Sequence, residues 1–483
     1  MSSRDRGSDR PAAATRHPRL ALAAIFVVAL AIRAMVGVWA SGRGEMEGLA
    51  HRYEQDAYAM TAGYGFVRPV EHQRPQVDFL AFEDSLEARG EKLDPSDVPA
   101  KDPARWRPST LHPPGYATFL ALVYRTVGNP LIPWAKALQA LIDALACLVV
   151  FSIGARLAGP RVGLIGAALA AVFLPTAYLV TSRVADSLMP FAMIGIFYLY
   201  VRALQSGRLA WFAAAGLALG VACMFRPDYL LYPSFLLLGA LAVLPWRRAL
   251  AGSAVLALVT ALAVVPWGLR NLRENGRFNV TTHAGGMSIL QSIGQFPNRH
   301  GIVFDDDIMQ DMAIAQGFES IDDPAADQWF KQRFLTIVRE DPLLVPGQML
   351  RRIPLGIVPL YRWGYDNPWY EGHGFYDYAR QGLTPVQAIL RHPLEVLRAY
   401  WDRLIFGLIG TTLFLVNVAL IVNRRTRRVG ILLFLPYLYL YLSHLPIVLG
   451  ARLLLPAVFG QLLALAILVE SRRRDSTPEI AFR

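Results

Sequence analysis

The chain has 483 residues, of which 54% are hydrophobic and 18% charged, with a formal net charge of +11. That balance is too apolar for an ordinary soluble domain. The arginines sit beside apolar stretches, so the positive charge reads as membrane orientation and not as a nucleic-acid surface.

A bilayer span needs about 20 mostly apolar residues. Roughly ten stretches meet that rule. In chain order they lie near Leu20–Ala40, Trp134–Leu157, Arg161–Thr181, Ser187–Leu204, Leu209–Phe225, Tyr229–Trp246, Ala249–Trp267, Leu404–Val422, Val429–Leu445 and Leu449–Glu470. The first follows Arg16 and Arg19 as a signal peptide would. Its apolar run is longer than a secretory core and more spans follow, so it reads as a retained anchor. The expected fold class is therefore all-α, a polytopic helical bundle of about ten spans with two long external loops bearing interfacial helices. Cys147 and Cys223 both fall within apolar stretches, give no disulfide framework or zinc motif, and read as packing residues.

Lys and Arg mark cytoplasmic loops. The N-terminal arginines, Arg156 with Arg161, Arg202 with Arg208, Arg247 with Arg248, Arg424 to Arg428 and Arg472 to Arg474 all fall on one side when ten spans are threaded. Both termini are then cytoplasmic, in a plasma (inner) membrane. The organisation expected is a tail over residues 1–19, a transmembrane module over 20–267 that includes a first external loop at 41–133, a second external region over 268–403, closing spans over 404–470 and a tail over 471–483. Loops of that length in a compact membrane protein are usually functional. Gly115–Val127 is apolar but too short to span. Ala326–Arg339 is amphipathic and can lie in a membrane surface. The run Leu343–Tyr361 is interrupted by Arg351 and Arg352 and is placed outside as interfacial.

Polar residues with chemical potential collect on the external side. In "RYEQDAYAMTAGYGF", Tyr53, Ala57, Met60 and Tyr64 have helical spacing, which puts Asp56 at the edge of an apolar stripe near the membrane. An acid there can take a proton from a hydroxyl, ligate a divalent ion, or be a plain solvated helix-face carboxylate. In "STLHPPGY", the two prolines fix a helix start. His112 either hydrogen-bonds a phosphate or caps the turn. Arg183, Arg226 and Arg270 stand at outer span ends, and Arg452 opens the last span. One such arginine usually snorkels to lipid headgroups. Four around one bundle favour an anion site, because guanidinium grips phosphate bidentately. Asp186 and Asp228 read as the salt-bridge partners that orient them in preference to metal ligands. Gly285 and Gly286 permit close approach to a ligand, and His283 can reach a sugar or phosphate. Lys136 and Asp143, one heptad apart, read as a structural polar pair. No Walker loop, Rossmann fingerprint or HExxH motif is present, which argues against ATP-driven transport and zincin proteolysis.

This ordered set resembles the integral-membrane GT-C glycosyltransferases, in particular the bacterial branch related to protein O-mannosyltransferases and the lipid A aminoarabinose transferase. The resemblance runs from about Leu20 to Glu470. It rests on Asp56 with the small residues after it, on His112 to Tyr116, on Asp186 in "SRVADSLMPF", and on Arg226 in "FRPDYLL". It continues through Pro266, Trp267, Arg270 and Asn271, "HAGGMSIL", and Arg452 with Pro456. Where the stricter mannosyltransferases carry two adjacent acids, Asp56 is followed by Ala57, and Glu54 is the nearest second acid. The family resemblance implies a sugar donor linked to polyprenyl phosphate and an inverting attack by an acceptor hydroxyl, with Asp56 as base. Glu54, His112, Tyr116, Arg183, Asp186, Arg226, Arg270, Asn271, His283 and Arg452 would bind substrate. The acceptor would be an envelope glycan, lipid or protein. A divalent cation, Mg or Mn, is left open as a cofactor, without a clear ligand cluster. Competing readings are a flippase of lipid-linked sugars and a glycan polymerase or ligase. Spans almost devoid of acids and bases below their outer edge disfavour the first.

Overall fold

The computed structural model describes residues 18–39, 47–69, 106–109, 112–127, 132–280, 285–318, 321, 323–360 and 385–473. The architecture is that of an all-α membrane protein. Each apolar stretch read from the sequence is helical. Helix α1 (Pro18–Trp39) is followed by α2 (Glu47–Thr61), a two-stranded antiparallel stem of β1 (Val67–Pro69) and β2 (Trp106–Pro108), and α3 (Gly115–Val127). The central bundle comprises α4 (Ile132–Ala158), α5 (Pro160–Val172), α6 (Leu174–Leu179), α7 (Met189–Ser206), α8 (Leu209–Cys223), α9 (Tyr232–Val243) and α10 (Trp246–Asn275). Beyond it lie α11 (Gly285–Gln291), α12 (Asp306–Ala315), α13 (Pro324–Glu340), α14 (Leu344–Ile357) and α15 (Pro385–Arg391). The chain returns to the bundle through α16 (Pro393–Val422), α17 (Arg427–His444), α18 (Ala451–Leu454) and α19 (Val458–Arg473). Among the described residues, six segments are long and apolar enough to cross a membrane, and three shorter apolar helices accompany them. The chain is a multi-pass membrane protein.

Close packing follows from small residues, as expected where lipid supplies no hydrophobic drive between helices. Gly216 and Gly220, four apart on α8, face α10. A methyl group on Gly216 would lie 2.4 Å from the carbonyl oxygen of Leu256, and one on Gly220 the same distance from Cβ of Ala263. Thr260 donates to the carbonyl of Gly216 at 3.0 Å across that contact.

The stretch expected as one span over Arg161–Thr181 is broken. Helix α5 ends at Phe173, which is extended, and Pro175 starts α6. A broken helix exposes its last carbonyls, which lipid cannot satisfy. Arg33 of α1 fills the gap, donating to the carbonyls of Ala171 at 2.7 Å and Ala170 at 3.2 Å. Its Nε reaches Oδ2 of Asp143 at 2.8 Å, with both side chains buried. Asp143 is thus paired with Arg33, which corrects the expected pairing with Lys136. The spans hold a buried ion pair that the reading of nearly charge-free spans overlooked. Arg33→Met leaves Asp143 without its counter-charge, a change that costs about 3–5 kcal/mol when a buried pair is broken. Thermal melting in detergent should show a marked drop, partly reversed in R33M/D143N.

Helices α11, α12 and α13 share a small core of their own, with Met287, Leu290, Met309, Phe330 and Ile337 buried. The apolar face of Ala326–Arg339 is covered by this core and not by lipid. Gly286 is tight for the same reason. Its added methyl would lie 2.0 Å from the carbonyl of Asp327, so the close approach there is to α13 and not to a ligand. Helix α14 buries Gln348, Arg352 and Gly356 and turns Leu350 outward. Its 14 residues reach about 21 Å at the helical rise, short of a bilayer core. Fully buried Arg352 donates to Gln295 at 2.8 Å, to the carbonyls of Leu445 and Pro446 at 3.2 and 3.0 Å, and to that of Ser292 at 2.7 Å. Gln295 in turn donates to the carbonyl of Leu449 at 2.6 Å. Helix α14 and the turn after α11 are thereby tied to the turn that leads into Arg452.

Candidate active site

Helix α2 carries Glu54 and Asp56, both with no exposed surface. The expected place for Asp56 was a stripe edge at the water–lipid boundary. The structure buries it, because α2 is covered on more than one face. Tyr58 stacks on Tyr124 of α3 at 5.4 Å and Tyr53 meets Tyr116 edge-on at 5.0 Å, while the β stem packs along the end of α2. Ser109, just after β2, donates its hydroxyl to Oδ2 of Asp56 at 3.0 Å.

Arg270 holds Ser109 from behind. Its guanidinium donates to the carbonyl of Ser109 at 3.1 Å and to that of Phe66 at 3.0 Å, which flank the two strands at the base of the stem. It also lies over the Trp267 ring, 4.9 Å from the centroid. Asn271 accepts from Arg270 at 3.0 Å and donates to the carbonyl of Asn279 at 2.8 Å. The Trp-Gly-Leu-Arg-Asn string therefore clasps the stem and, through Ser109, orients Asp56. Arg270 grips backbone carbonyls where the sequence suggested phosphate.

Two ion-pair groups lie close by. Arg183 pairs with Glu54, both buried. Arg226 donates through Nε and Nη2 to the two oxygens of Asp228 at 3.1 and 2.9 Å, and through Nη1 to Asp186. Arg452 lies 4.0 Å from the second oxygen of Asp186. The two aspartates thus orient guanidiniums, as their placement beside arginines suggested. Burial pulls the Arg226 guanidinium down, but Asp228 outweighs it and holds Arg226 above its ordinary value. Arg452 keeps 36% of its side chain exposed, against 16% for Arg226 and 7% for Arg183, and is the most open of the three.

The His-Pro-Pro-Gly-Tyr string joins these groups. Gly115 donates its N–H to the carbonyl of Met224 at 2.7 Å, and a methyl group there would sit 2.5 Å from that oxygen. Tyr116 donates to Gln139, which donates to the carbonyls of Val180 at 2.8 Å and Ser182 at 3.2 Å. The string is a clip between the turn bearing Arg226 and the turn bearing Arg183. The His112 ring tilts over Tyr53 at 4.9 Å. Gly115→Ala should displace the clip and cost about 1–3 kcal/mol, as overpacking does. Donor turnover should fall more steeply than the melting temperature, because the displaced chain leads directly into Arg226.

His283 lies outside the described residues. The other ten predicted site residues cluster at one end of the bundle. Ser109, Gln139, Tyr53 and His444 belong to the same neighbourhood and were not singled out as site residues. Ser109 opens the very string that holds His112, and His444 is a lone histidine at the end of an apolar stretch, on the side of the arginines; both were available as signals. Among the described residues no group of three or more His, Cys, Asp or Glu is placed to hold a metal ion.

Residues 111–269 match the family model described as dolichyl-phosphate-mannose-protein mannosyltransferase. Over that segment the chain is similar to the GT-C glycosyltransferases. The matched segment takes in the His112–Tyr116 clip, Arg183, Asp186 and Arg226, and stops one residue before Arg270. Solved structures of the oligosaccharyltransferase AglB from Archaeoglobus fulgidus are similar to the chain. The complex with an inhibitory peptide and a dolichol-phosphate is 12% identical with a TM-score of 0.49, over 95% of this chain and 51% of that one. The complex with Zn and sulfate is 12% identical with a TM-score of 0.46, over 94% and 49%. The chain spans about half the length of these structures. No curated protein matches it.

Proposed function

We propose that this GT-C enzyme moves a single sugar from a polyprenyl-phosphate donor to a hydroxyl of an envelope glycan, lipid or protein, on the external face of the plasma membrane and with inversion. One observation carries the reading. Helix α2 carries a buried acid and is joined to both arginine-bearing turns: Glu54 pairs with Arg183, and Tyr53 packs edge-on against Tyr116 of the clip whose Gly115 donates to Met224, two residues before Arg226. Asp56 follows Tyr53 by three residues, about 5 Å along the helix axis.

The chemistry divides between these groups. The acceptor O–H gives its proton to the Asp56 carboxylate, which Ser109 holds in place. The acceptor oxygen bonds to the anomeric carbon from the side opposite the phosphate. The bond from that carbon to the phosphate oxygen breaks, and its electron pair leaves with polyprenyl phosphate. The leaving group gains charge as it departs, and Arg226 and Arg452 stabilise it from fixed positions. Helices of the bundle provide apolar surface for the lipid tail. The donor named in the matched family's description supports the same class.

The test is direct. Purified protein is incubated with a panel of short-chain polyprenyl-phosphate sugars and a membrane extract as the acceptor source. Released polyprenyl phosphate is expected with at least one donor. Binding of such donors without release from any of them would point to a carrier of lipid-linked sugars and sink the transferase reading.

A further inference from the structure

His444 has no role in the steps above, yet it touches the phosphate corner. It ends α17, where Nε2 lies 3.0 Å from Oδ2 of Asp228. Its Nδ1 lies 2.8 Å from the carbonyl oxygen of Leu440 and 3.3 Å from the Ser443 hydroxyl. A carboxylate and a carbonyl only accept hydrogen bonds, so the ring satisfies both at once only with a proton on each nitrogen. A neutral ring would turn Nδ1 to the Ser443 hydroxyl as acceptor and leave the shorter carbonyl contact unmet. The side chain is 10% exposed, which leaves little water to substitute for either partner.

Among the described residues, the other ion pairs at this corner match charge for charge. Arg226 spans Asp228 and Asp186, and Asp186 also faces Arg452. Two guanidiniums stand against two carboxylates and cancel. A corner of zero net charge gives little net attraction to a phosphate diester and no added hold on the more highly charged monoester that departs. The imidazolium is the unbalanced charge. Other titratable groups near the corner are Tyr439, which donates to the backbone carbonyl of Asp228, Tyr229 of the same turn, Tyr53 of α2, and Asp306 at the start of α12. Asp306 is exposed, so water screens it.

We propose that His444 is a positioning residue of this corner: doubly protonated, it offsets Asp228, steadies the carboxylate that aims Arg226, and leaves one positive charge in excess for the leaving phosphate. The inference rests on the reading of Arg226 and Arg452 as the phosphate-holding cations.

The test measures binding of a short-chain polyprenyl phosphate to the full-length protein by calorimetry at neutral pH and low salt. His444→Gln keeps a side-chain N–H for Asp228 and removes the charge. Its affinity should fall about tenfold, the scale of one unit charge acting within a partly buried site. The double variant H444Q/D228N removes one charge of each sign and should recover to within about threefold of wild type, a rescue that marks coupled residues. A purely structural histidine would show no such rescue. Should H444Q fail to fold, H444K decides the matter: retained binding supports the charge role, and lost binding overturns it. Wild-type affinity in H444Q, or no recovery in the double variant, overturns the inference while R452A still binds weakly. Wild-type affinity in R452A would instead overturn the reading of the corner itself.

Discussion

Asp56→Asn is expected to slow sugar transfer by about 10²–10⁴-fold, the contribution usual for a general base. Asparagine has the shape of aspartate and still accepts the Ser109 hydroxyl through its carbonyl oxygen, so the stem and α2 should keep their places. What it loses is the ability to take a proton. Binding of polyprenyl phosphate should stay within about threefold of wild type, since the amide changes neither Arg226 nor Arg452. Single-turnover release of polyprenyl phosphate and calorimetric affinity, measured on the same preparation, separate the two effects. Near-normal turnover in D56N would remove Asp56 from the base role. Equal losses of turnover and affinity would show that the acid organises the site without taking the proton.

Arg226→Gln should produce the second large effect, and on two observables. Arg226 is shared by Asp186 and Asp228, and its loss leaves the nearly buried Asp186 with only the longer contact to Arg452. Breaking a buried pair by removing one partner costs about 3–5 kcal/mol, because a charge is left uncompensated. Melting in detergent should fall accordingly, and polyprenyl phosphate binding should weaken in parallel. Adding D186N should recover part of the stability but less of the binding, because it restores the net charge of the corner and not the guanidinium that contacts the phosphate. A variant that melts like wild type would mean that the corner is open to water and contributes little to holding these turns together.

Apolar stretches are the part of this fold most legible in the sequence. Lipid leaves a spanning segment little choice but helix, so composition alone locates α1, α4 and α10. Partners across the bundle are a different matter. Lys136 and Asp143 are close in sequence and share a helix, whereas the true partner, Arg33, is 110 residues away from Asp143 on another helix. Helical spacing reports faces of one helix and says nothing of which neighbour a face meets. The same limit explains Asp56. The pattern of α2 revealed an apolar stripe, but the cover on its other side comes from a stem built of residues 67–69 and 106–108. Arg270 shows that one residue type in one place serves two roles. An arginine beside an interfacial tryptophan reads as a phosphate grip, yet its donors are met by the carbonyls of Phe66 and Ser109. The pairing of acids with arginines was legible because opposite charges at a membrane edge have few other ways to be buried.

The stem also bears on how this enzyme could change over generations. Pro69 stands opposite Trp106 and Val67 opposite Pro108, and Arg270 clasps the carbonyls at its base. Everything between residues 69 and 106 enters and leaves through that fixed gate. Loop-closure entropy grows slowly with length, by about 0.6 kcal/mol for each doubling. Insertions, deletions or wholesale replacement there can therefore accumulate without disturbing Ser109 or the acid it holds. The stem thus uncouples the length of chain that it closes from the placing of the reacting groups, and leaves natural variation, or a designer, free to change the one without moving the other.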